Sequence, residues 1–305
     1  MVFGHHFNFQ DEPSLQEEFY LYLSDPTSCN DSRVVDVLET VDSSPSDTFP
    51  LKSDWCAMSG QMARYYSTIS FEKAGENFSW ALEIKDAVAL VWDALSHRIL
   101  YLKGKNYTPQ RLRFWIYHTF FPLVLEIQRK YRILHVGSVE IDGNPVLFSA
   151  FSYGGKSTLT DYFIQKGHIM LSDDSLAIEK QGDHYYGIPS YPFHRPYREL
   201  ETLGCHIDNF AAEPKPIQAI YLLKKSEPDA SVNITELNGI EKFKAFHYSA
   251  FIDFDFMKRE RFDYFTKMAK HIPVYQITIP WNTVRLKEVY GTIVEQSRKL
   301  SDSSD

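Results

Sequence analysis

A Gly-Gly-Lys-Ser turn at residues 154–157 precedes two adjacent aspartates, Asp173 and Asp174, by the length of one helix. Glycines allow backbone N–H groups to approach phosphate oxygens, and a lysine at a helix N-terminus adds a full positive charge to the helix dipole. The hydroxyl of the serine that follows is suited to bind Mg²⁺. The turn is therefore predicted to bind the phosphate chain of a nucleotide.

The phosphate-loop pattern G-x-x-x-x-G-K-[ST] is met except at one position, because Ala150 stands where the first glycine is expected. Tyr153 is also bulky for such a loop. An ordinary strand–turn–helix with a surface lysine is the alternative interpretation, but the apolar strand before the turn and the helix after it favour a phosphate loop. The predicted nucleotide contacts are Ser152, Tyr153, Gly154, Gly155, Lys156, Ser157 and Thr158.

The two aspartates are predicted to lie beside this turn. Residues 146–149 are predicted to form an apolar strand, residues 157–166 a helix and residues 169–172 a second short strand. In such a crossover unit both strands end on the same side, which brings Asp173 and Asp174 to the phosphate loop. One carboxylate can hold Mg²⁺ while the other accepts the proton of an attacking hydroxyl. An acidic turn after a strand is the alternative, and the spacing from the Lys-Ser pair favours the catalytic interpretation.

His135 is placed by the register of a predicted hairpin. If Asp142 and Gly143 are its two turn residues, counting back along both strands puts His135 opposite Ala150, the first residue of the loop. This position predicts a role in proton movement near Asp173, although a structural histidine is an equally good interpretation.

Two arginines, Arg195 and Arg198, lie downstream in "GIPSYPFHRPYRELETLG". The prolines of this stretch fix the loop, and a guanidinium held in place suits contacts with phosphate or carboxylate groups. A solvated arginine pair is an equally good interpretation of the residues alone.

Hydrophobic periodicity and turn chemistry predict the elements around these residues. Residues 24–49 are rich in Ser and Asp and are predicted to be mostly loop, whereas a small antiparallel sheet is predicted from about Phe78. Thr108 is suited to cap a helix that Pro122 divides or kinks. Two later apolar runs are predicted strands, and the first of them has apolar residues on both faces. They are residues 216–225 and 273–280.

Composition excludes several classes of function. Apolar residues make up 44% of the 305 residues and the formal net charge is −8, which suits a globular protein and argues against a general nucleic-acid binder. The three cysteines lack metal-ligand spacing and indicate a reduced compartment. The chain starts without a signal-peptide pattern, and residues 113–127 are too short and too charged to span a membrane. We therefore expect a cytoplasmic protein without nucleic-acid or membrane partners.

The stretch "LHVGSVEIDGNPVLFSAFSYGGKSTLTDYFIQKGHIMLSDDSLAI", with "PSYPFHR", "PIQAIYLL" and "IPVYQITIP", resembles the HPr kinase/phosphorylase family. It resembles more closely the related small kinases encoded beside lasso-peptide and other peptide-modification genes. The resemblance implies an α/β fold with a P-loop kinase core of the HPr kinase/phosphoenolpyruvate carboxykinase type. The implied organisation is a small N-terminal α+β region at 1–107, partly loop or disordered, a kinase domain at 108–298 and a solvated tail at 299–305.

The resemblance also carries the family's site onto this chain, and every residue type in the site is present here. The carried residues are His135, Lys156, Ser157, Asp173, Asp174 and Arg195. In the implied mechanism Lys156 holds the phosphates, Ser157 and Asp174 hold the metal, and Asp173 is the base. His135 and Arg195 complete the catalytic set.

The implied reaction is transfer of the γ-phosphoryl group of ATP, with Mg²⁺, to a hydroxyl of a peptide or protein, with Ser as the favoured acceptor. HPr itself is not implied as the substrate, because the Glu-Arg-Gly-Leu-Gly type segment of HPr kinases is missing and Thr158 stands where they usually have Glu. Two alternatives stay open: a kinase of a free small molecule such as serine, and a nucleotide-binding regulator of weak activity. A homo-oligomer is compatible with each of them.

Overall fold

The computed structural model describes residues 1–23, 33–41, 44–151, 154–195, 200–251 and 254–302. The chain folds into two compact units, and each is a mixture of strands and helices. Within the described ranges, the first unit comprises residues 1–132 and 200–204, and the second comprises residues 133–195 and 205–302.

An eight-stranded sheet forms the first unit. Its strands are β1 (His6–Phe9), β2 (Val34–Glu39), β3 (Leu51–Lys52), β4 (Cys56–Met58), β5 (Gln61–Ser67), β6 (Trp80–Ile84), β7 (Val88–Asp93) and β8 (Arg98–Lys103). The order is β1-β2-β8-β7-β6-β5-β3, with β4 paired to β5. Strands β1, β2 and β8 pair in parallel, and the other neighbours pair antiparallel. Two short helices, α1 (Pro13–Leu23) and α2 (Pro45–Thr48), belong to this unit.

The sheet starts much earlier in the chain than the sequence predicted. The predicted antiparallel strands from about residue 78 are confirmed as β6, β7 and β8. The prediction that residues 24–49 are mostly loop is wrong for β2, which buries Val35 and Val37 against strands far away in sequence. Such non-local parallel pairing stabilises a strand whose local composition favours a loop.

The helix predicted after Thr108 is present, and the structure shows how it is divided. Helix α3 (Pro109–Phe114) is capped by the Thr108 side chain, which accepts a hydrogen bond from the backbone N–H of Arg111 at 3.2 Å. One π-helical stretch, Trp115–Phe120, then connects α3 to α4 (Phe121–Ile127), in which Pro122 is near the start. Proline has no N–H to donate, so Pro122 interrupts the helical hydrogen bonds next to the π-helical stretch.

This helical stretch packs in the first unit. The Phe121 ring lies 4.9 Å from that of Phe7, and the Phe120 ring lies 4.8 Å from that of Trp80. The compact units accordingly divide at residues 132/133, whereas the sequence analysis placed a boundary at 107/108. Aromatic packing against a distant sheet explains the difference, because hydrophobic periodicity cannot say which core a helix joins.

The second unit contains three sheets and four helices among its described residues. Its strands are β9 (Arg132–Leu134), β10 (Gly137–Ile141), β11 (Asn144–Ala150), β12 (Met170–Ser172), β13 (Leu176–Gln181), β14 (His184–Ile188), β15 (Phe193–His194), β16 (Cys205–His206), β17 (Lys215–Pro216), β18 (Ala219–Ser226), β19 (Ile234–Glu236) and β20 (Val274–Pro280). Its helices are α5 (Lys156–Gln165), α6 (Gly239–Tyr248), α7 (Lys258–His271) and α8 (Leu286–Asp302). The sheet orders are β12-β10-β11-β18-β20-β19, β17-β14-β13-β9 and β15-β16.

The six-stranded sheet forms the centre of this unit and is covered on both faces. Alternate residues of β18, such as Ile220 and Tyr221, belong to opposite cores. Helices α6 and α7 cover one face, and α5 and α8 cover the other. The prediction that the run 216–225 is a strand covered on both faces is therefore confirmed.

Three central strands of this sheet run parallel and end at one edge. The parallel register pairs Ala150 with Leu223, and Leu223 with Ile277. Strand β12 pairs antiparallel with β10, which is itself antiparallel to β11, so β12 also runs in the direction of β11. The crossover from β11 through α5 to β12 therefore returns the chain to the same edge, as the sequence predicted.

Two further expectations concern the ends of the chain and membranes. Residues 299–302 of the predicted solvated tail are the last turn of α8, and residues 303–305 lie outside the described residues. Within the described ranges, no helix is both long enough and apolar enough to cross a bilayer.

Candidate active site

Lys156 is placed by the short connection between β11 and α5. The strand ends at Ala150 and the helix begins at Lys156, after Gly155 with φ 87° in the left-handed region. Glycine adopts this conformation without the steric cost that other residues have. The Lys156 side chain is only 8% exposed, so its charge lies inside the unit and at the positive end of the helix.

Lys156 contacts two of the other predicted site residues. Its Nζ lies 3.1 Å from Asp174 Oδ1 and 3.3 Å from His135 Nε2. The Nδ1 of His135 in turn lies 3.4 Å from the same Asp174 oxygen. A lysine, a histidine and a carboxylate therefore meet at the N-terminus of α5. If a metal ion neutralised the carboxylate, the lysine and the helix N-terminus would favour binding of an anion there.

His135 reaches this position by a route different from the predicted one. The hairpin register is confirmed from Ile141↔Asn144 to Gly137↔Phe148, where the ladder ends. His135 is therefore not paired with Ala150, and its backbone N–H instead donates to the Ser249 carbonyl at 2.6 Å. The prediction of its pairing is wrong, because the paired part of the strand starts only at Gly137, two residues after His135.

Gly137 allows the hairpin to approach α5 closely. A Cβ at this position would lie 2.2 Å from Thr160 Oγ1 and 3.5 Å from Lys156 Cγ. The Thr160 hydroxyl itself donates to the Lys156 carbonyl at 3.0 Å. A side chain at position 137 would displace Thr160, so glycine permits this close approach of the hairpin to α5.

Asp173 is more deeply buried than Asp174 and has different partners. Its side chain is 7% exposed, compared with 17% for Asp174. The backbone N–H of Arg195 donates to Asp173 Oδ2 at 2.9 Å, and His194 Nδ1 lies 3.0 Å from Oδ1. The two neighbouring carboxylates are thus held in distinct environments, one facing Lys156 and the other facing the loop that carries His194.

His194 connects Asp173 to a second carboxylate. Its Nε2 lies 3.4 Å from Asp161 Oδ1, on α5, and its side chain is 3% exposed. Burial, the largest single influence, lowers the pKa of His194, but the contact with Asp173 and the charges of Asp173 and Asp161 together outweigh it. The pKa of His194 is therefore raised above 6.5.

His194 and Asp161 are not among the site residues that the sequence predicts. Asp161 lies on the helix after the predicted phosphate loop, and His194 lies in "PSYPFHR". A histidine directly before the predicted Arg195, in a loop expected to reach the site, was the available signal. Asp161 carries no signal, because an acidic residue on a helix is usually solvated.

The remaining predicted residues are placed only in part. Ser157 is partly exposed in the first turn of α5, and Thr158 is exposed. Arg195 reaches Asp173 through its backbone N–H. Ser152, Tyr153 and Arg198 lie outside the described residues.

A metal would have few protein ligands here. No group of three or more His, Cys, Asp or Glu side chains in the described part of the chain is arranged to hold a metal ion. Mg²⁺ bound to nucleotide phosphates usually keeps waters and takes only one or two protein carboxylates. Asp174, whose carboxylate faces the Lys156 ammonium, fits that requirement, and the hydroxyl of Ser157 would supply a second oxygen.

Comparison with known proteins adds a distant structural likeness. No protein-family model matches the chain, and no curated protein matches it. Among solved structures, the HPr(Ser) kinase/phosphatase from Coxiella burnetii is similar at 14% sequence identity and a TM-score of 0.35. The match covers 56% of this chain and 99% of that one. A likeness this distant carries no argument about activity.

Proposed function

We propose that this protein is a kinase that transfers the γ-phosphoryl group of ATP, with Mg²⁺, to a hydroxyl of a peptide or protein, with Ser as the favoured acceptor. The observation that carries the proposal is the convergence of His135, Lys156 and Asp174 at the N-terminus of α5, with Lys156 3.1 Å from Asp174. A buried lysine at a helix N-terminus beside a carboxylate suits a phosphate chain and its metal better than it suits a purely structural ion pair.

In the proposed reaction, the Lys156 ammonium and the N–H groups at the start of α5 hold the β- and γ-phosphates. Asp174 and Ser157 supply oxygens to Mg²⁺, which when bound neutralises part of the phosphate charge. With Mg²⁺ bound, Asp174 would contact the metal instead of Lys156, and the ammonium would then contact the phosphate oxygens. Positioning and charge stabilisation of this kind supply most of the rate in phosphoryl transfer.

Asp173 is proposed as the group that accepts the acceptor's proton. As the hydroxyl oxygen bonds to the γ-phosphorus, the bond from phosphorus to the β,γ-bridging oxygen breaks and ADP leaves. The Arg195 N–H donates to Asp173 Oδ2, which orients the carboxylate, and His194 Nδ1 lies 3.0 Å from its other oxygen. His135, partly exposed beside Asp174, is proposed to assist proton movement, and the Arg195 guanidinium to contact the phosphates or the acceptor.

The test is ADP release from ATP, with and without Mg²⁺, in the presence of serine-containing peptides or of free L-serine. Release that requires Mg²⁺ and a peptide supports the proposal, and mass spectrometry must then find one added phosphate on the peptide. Release with free serine alone would show a small-molecule kinase. Tight ATP binding without release for any acceptor would show a nucleotide-binding regulator.

A further inference from the structure

The edge of the sheet that carries Lys156 also carries a cavity that the proposed reaction leaves unassigned. Strands β11, β18 and β20 run parallel and end there at Ala150, Ser226 and Pro280. In open α/β sheets, ligands bind in the crevice beyond the carboxyl ends of the strands. Trp281 directly follows β20 at this edge.

The cavity begins where the predicted phosphate loop ends. It has a volume of about 180 Å³, and its walls include Gly155, Leu159, Pro280 and Trp281. Most of the wall is apolar, with a few polar side chains that include Asn282. Apolar walls with a small number of polar groups are typical of sites for small organic ligands.

Trp281 is unusual because its indole is 45% exposed although it is held in place. The Lys225 ammonium lies 3.9 Å from the centroid of the ring. The register of β18 and β20 pairs Lys225 with Ile279, two residues before Trp281, which keeps the cation beside the ring. Large exposed aromatic side chains at a cavity often mark a binding surface.

The indole also contacts the turn before Lys156. A Cβ at Gly155 would lie 3.4 Å from Trp281 Cζ3, so the edge of the ring rests against this glycine. Gly155 therefore borders both the N-terminus of α5 and the cavity. A ligand with phosphates at Lys156 and a planar ring in the cavity would bridge the two.

We propose that this cavity is the nucleobase subsite of the kinase and that Trp281 is the platform on which a purine ring stacks. The inference rests on the proposed function, because it assigns the base of the same nucleotide. Stacking on an aromatic ring stabilises a bound base without needing specific hydrogen bonds to its edge.

The experiment compares ATP with tripolyphosphate, which has the phosphates but no base, in calorimetric titrations with Mg²⁺. Trp281→Ala is expected to weaken ATP binding by roughly 5- to 150-fold, the range for loss of one stacked base. Tripolyphosphate affinity is expected to change less than about 2-fold. Trp281→Phe should keep most of the ATP affinity. Val284→Ala is the matched control, because Val284 is 85% exposed in the same loop and is not part of the cavity wall.

A second measurement uses the indole itself. ATP is expected to quench the tryptophan fluorescence of the wild type, tripolyphosphate is not, and Trp281→Phe should remove the quenching. Equal ATP affinity in the wild type and Trp281→Ala, with both folded by circular dichroism, would overturn the subsite and leave the kinase proposal intact. If the wild type binds neither ATP nor tripolyphosphate, both proposals fail. If it binds ATP no more tightly than tripolyphosphate, the subsite alone is wrong.

Discussion

The Lys156 ammonium lies 3.1 Å from the Asp174 carboxylate although the two residues are 18 positions apart. The crossover from β11 through α5 to β12 produces this contact, because both strands end at the same edge of the sheet. Both side chains are largely buried, with 8% and 17% exposed. Removal of one partner from such a pair leaves an uncompensated charge, so the contact matters for stability as well as for any ligand.

Lys156→Ala is expected to reduce phosphoryl transfer by about 100-fold or more and to weaken ATP binding, because the site loses the cation at the start of α5. The checks are ADP release and calorimetric ATP titration. Lys166→Ala is the matched control, since Lys166 is exposed at the other end of the same helix and should leave both measurements unchanged. Turnover similar to wild type in Lys156→Ala would remove the phosphate-loop assignment.

The two aspartates are expected to give different phenotypes when each is changed to asparagine. Asp173→Asn should leave ATP affinity within a few-fold of wild type and lower kcat by about 100-fold or more, because the base is lost while the shape is kept. Asp174→Asn should instead raise the Mg²⁺ concentration needed for half-maximal rate. Magnesium titrations of both variants separate the two effects, and exchanged phenotypes would mean that the two roles are reversed.

The environment of His194 predicts how the free energy of unfolding depends on pH. Its pKa is raised above 6.5, so its contribution to stability is full below pH 6.5 and is lost as pH rises through the raised value. His194→Gln should therefore lower the free energy of unfolding most at pH 6, by about 3 kcal/mol, with a smaller difference at higher pH.

Urea denaturation of wild type and His194→Gln at several pH values measures this difference. Asp161→Asn removes one of the two carboxylates beside His194, at 3.4 Å, and should shift the loss of stability to lower pH. A constant difference between wild type and His194→Gln from pH 6 to pH 9 would contradict the ion pairing. In the same variant, kcat should fall while ATP affinity is retained, since the histidine holds Asp173 rather than the nucleotide.

Gly155→Ala is expected to weaken ATP binding because of where Gly155 lies in the candidate site. Gly155 and Gly167, at the two ends of α5, have nearly the same φ, 87° and 89°. Alanine at either position carries the same backbone strain, on the order of 1–2 kcal/mol. A Cβ at Gly155 would also lie 3.4 Å from Trp281, whereas at Gly167 it would meet no atom within 4 Å. Thermal unfolding should show similar losses, and only Gly155→Ala should weaken ATP binding. Equal ATP affinity in the two variants would show that Gly155 does not border the nucleotide site.

The features that the sequence predicted best are those that local chemistry determines, such as a turn and its register. Asp142 and Gly143 both have positive φ, 51° and 83°, as the hairpin turn required, and the register from Ile141↔Asn144 to Gly137↔Phe148 followed from them. The side on which Asp173 and Asp174 lie followed from the handedness and direction of a crossover unit. These inferences needed only neighbouring residues and one connection.

Long-range packing explains what could not be predicted. Strand β2 lies in a polar stretch and depends on parallel pairing with β1 and β8. His194 becomes part of the site because its loop returns to α5, and no pattern around it specifies that path. The final position of His135 likewise depends on the Ser249 carbonyl, more than a hundred residues away. Contacts at such separations leave no periodic signal in the sequence.

His5 gives a test of the first unit that is independent of the candidate site. Its Nδ1 lies 2.8 Å from the Phe3 carbonyl, so this nitrogen carries the proton and donates it. Its Nε2 lies 3.1 Å from the Lys130 ammonium, which donates to it. Burial, and after it the charge of Lys130, lower the pKa of His5 from 6.5 to about 3. Native His5 therefore stays neutral at pH values where the unfolded chain binds a proton.

Between pH 6.5 and about 3 the unfolded state binds more protons at His5 than the native state does, so stability falls as pH falls. One histidine contributes a slope of about 1.4 kcal/mol per pH unit below pH 6. His5→Asn, which does not titrate, should be less stable than wild type at pH 7 yet lose less stability between pH 6 and pH 4. Lys130→Gln removes the second cause of the lowered pKa and should give an intermediate slope.

Tryptophan fluorescence in urea suits the measurement, because four of the five tryptophans (Trp55, Trp80, Trp92 and Trp115) lie in this unit. Identical slopes for wild type and His5→Asn would show that His5 is not held neutral.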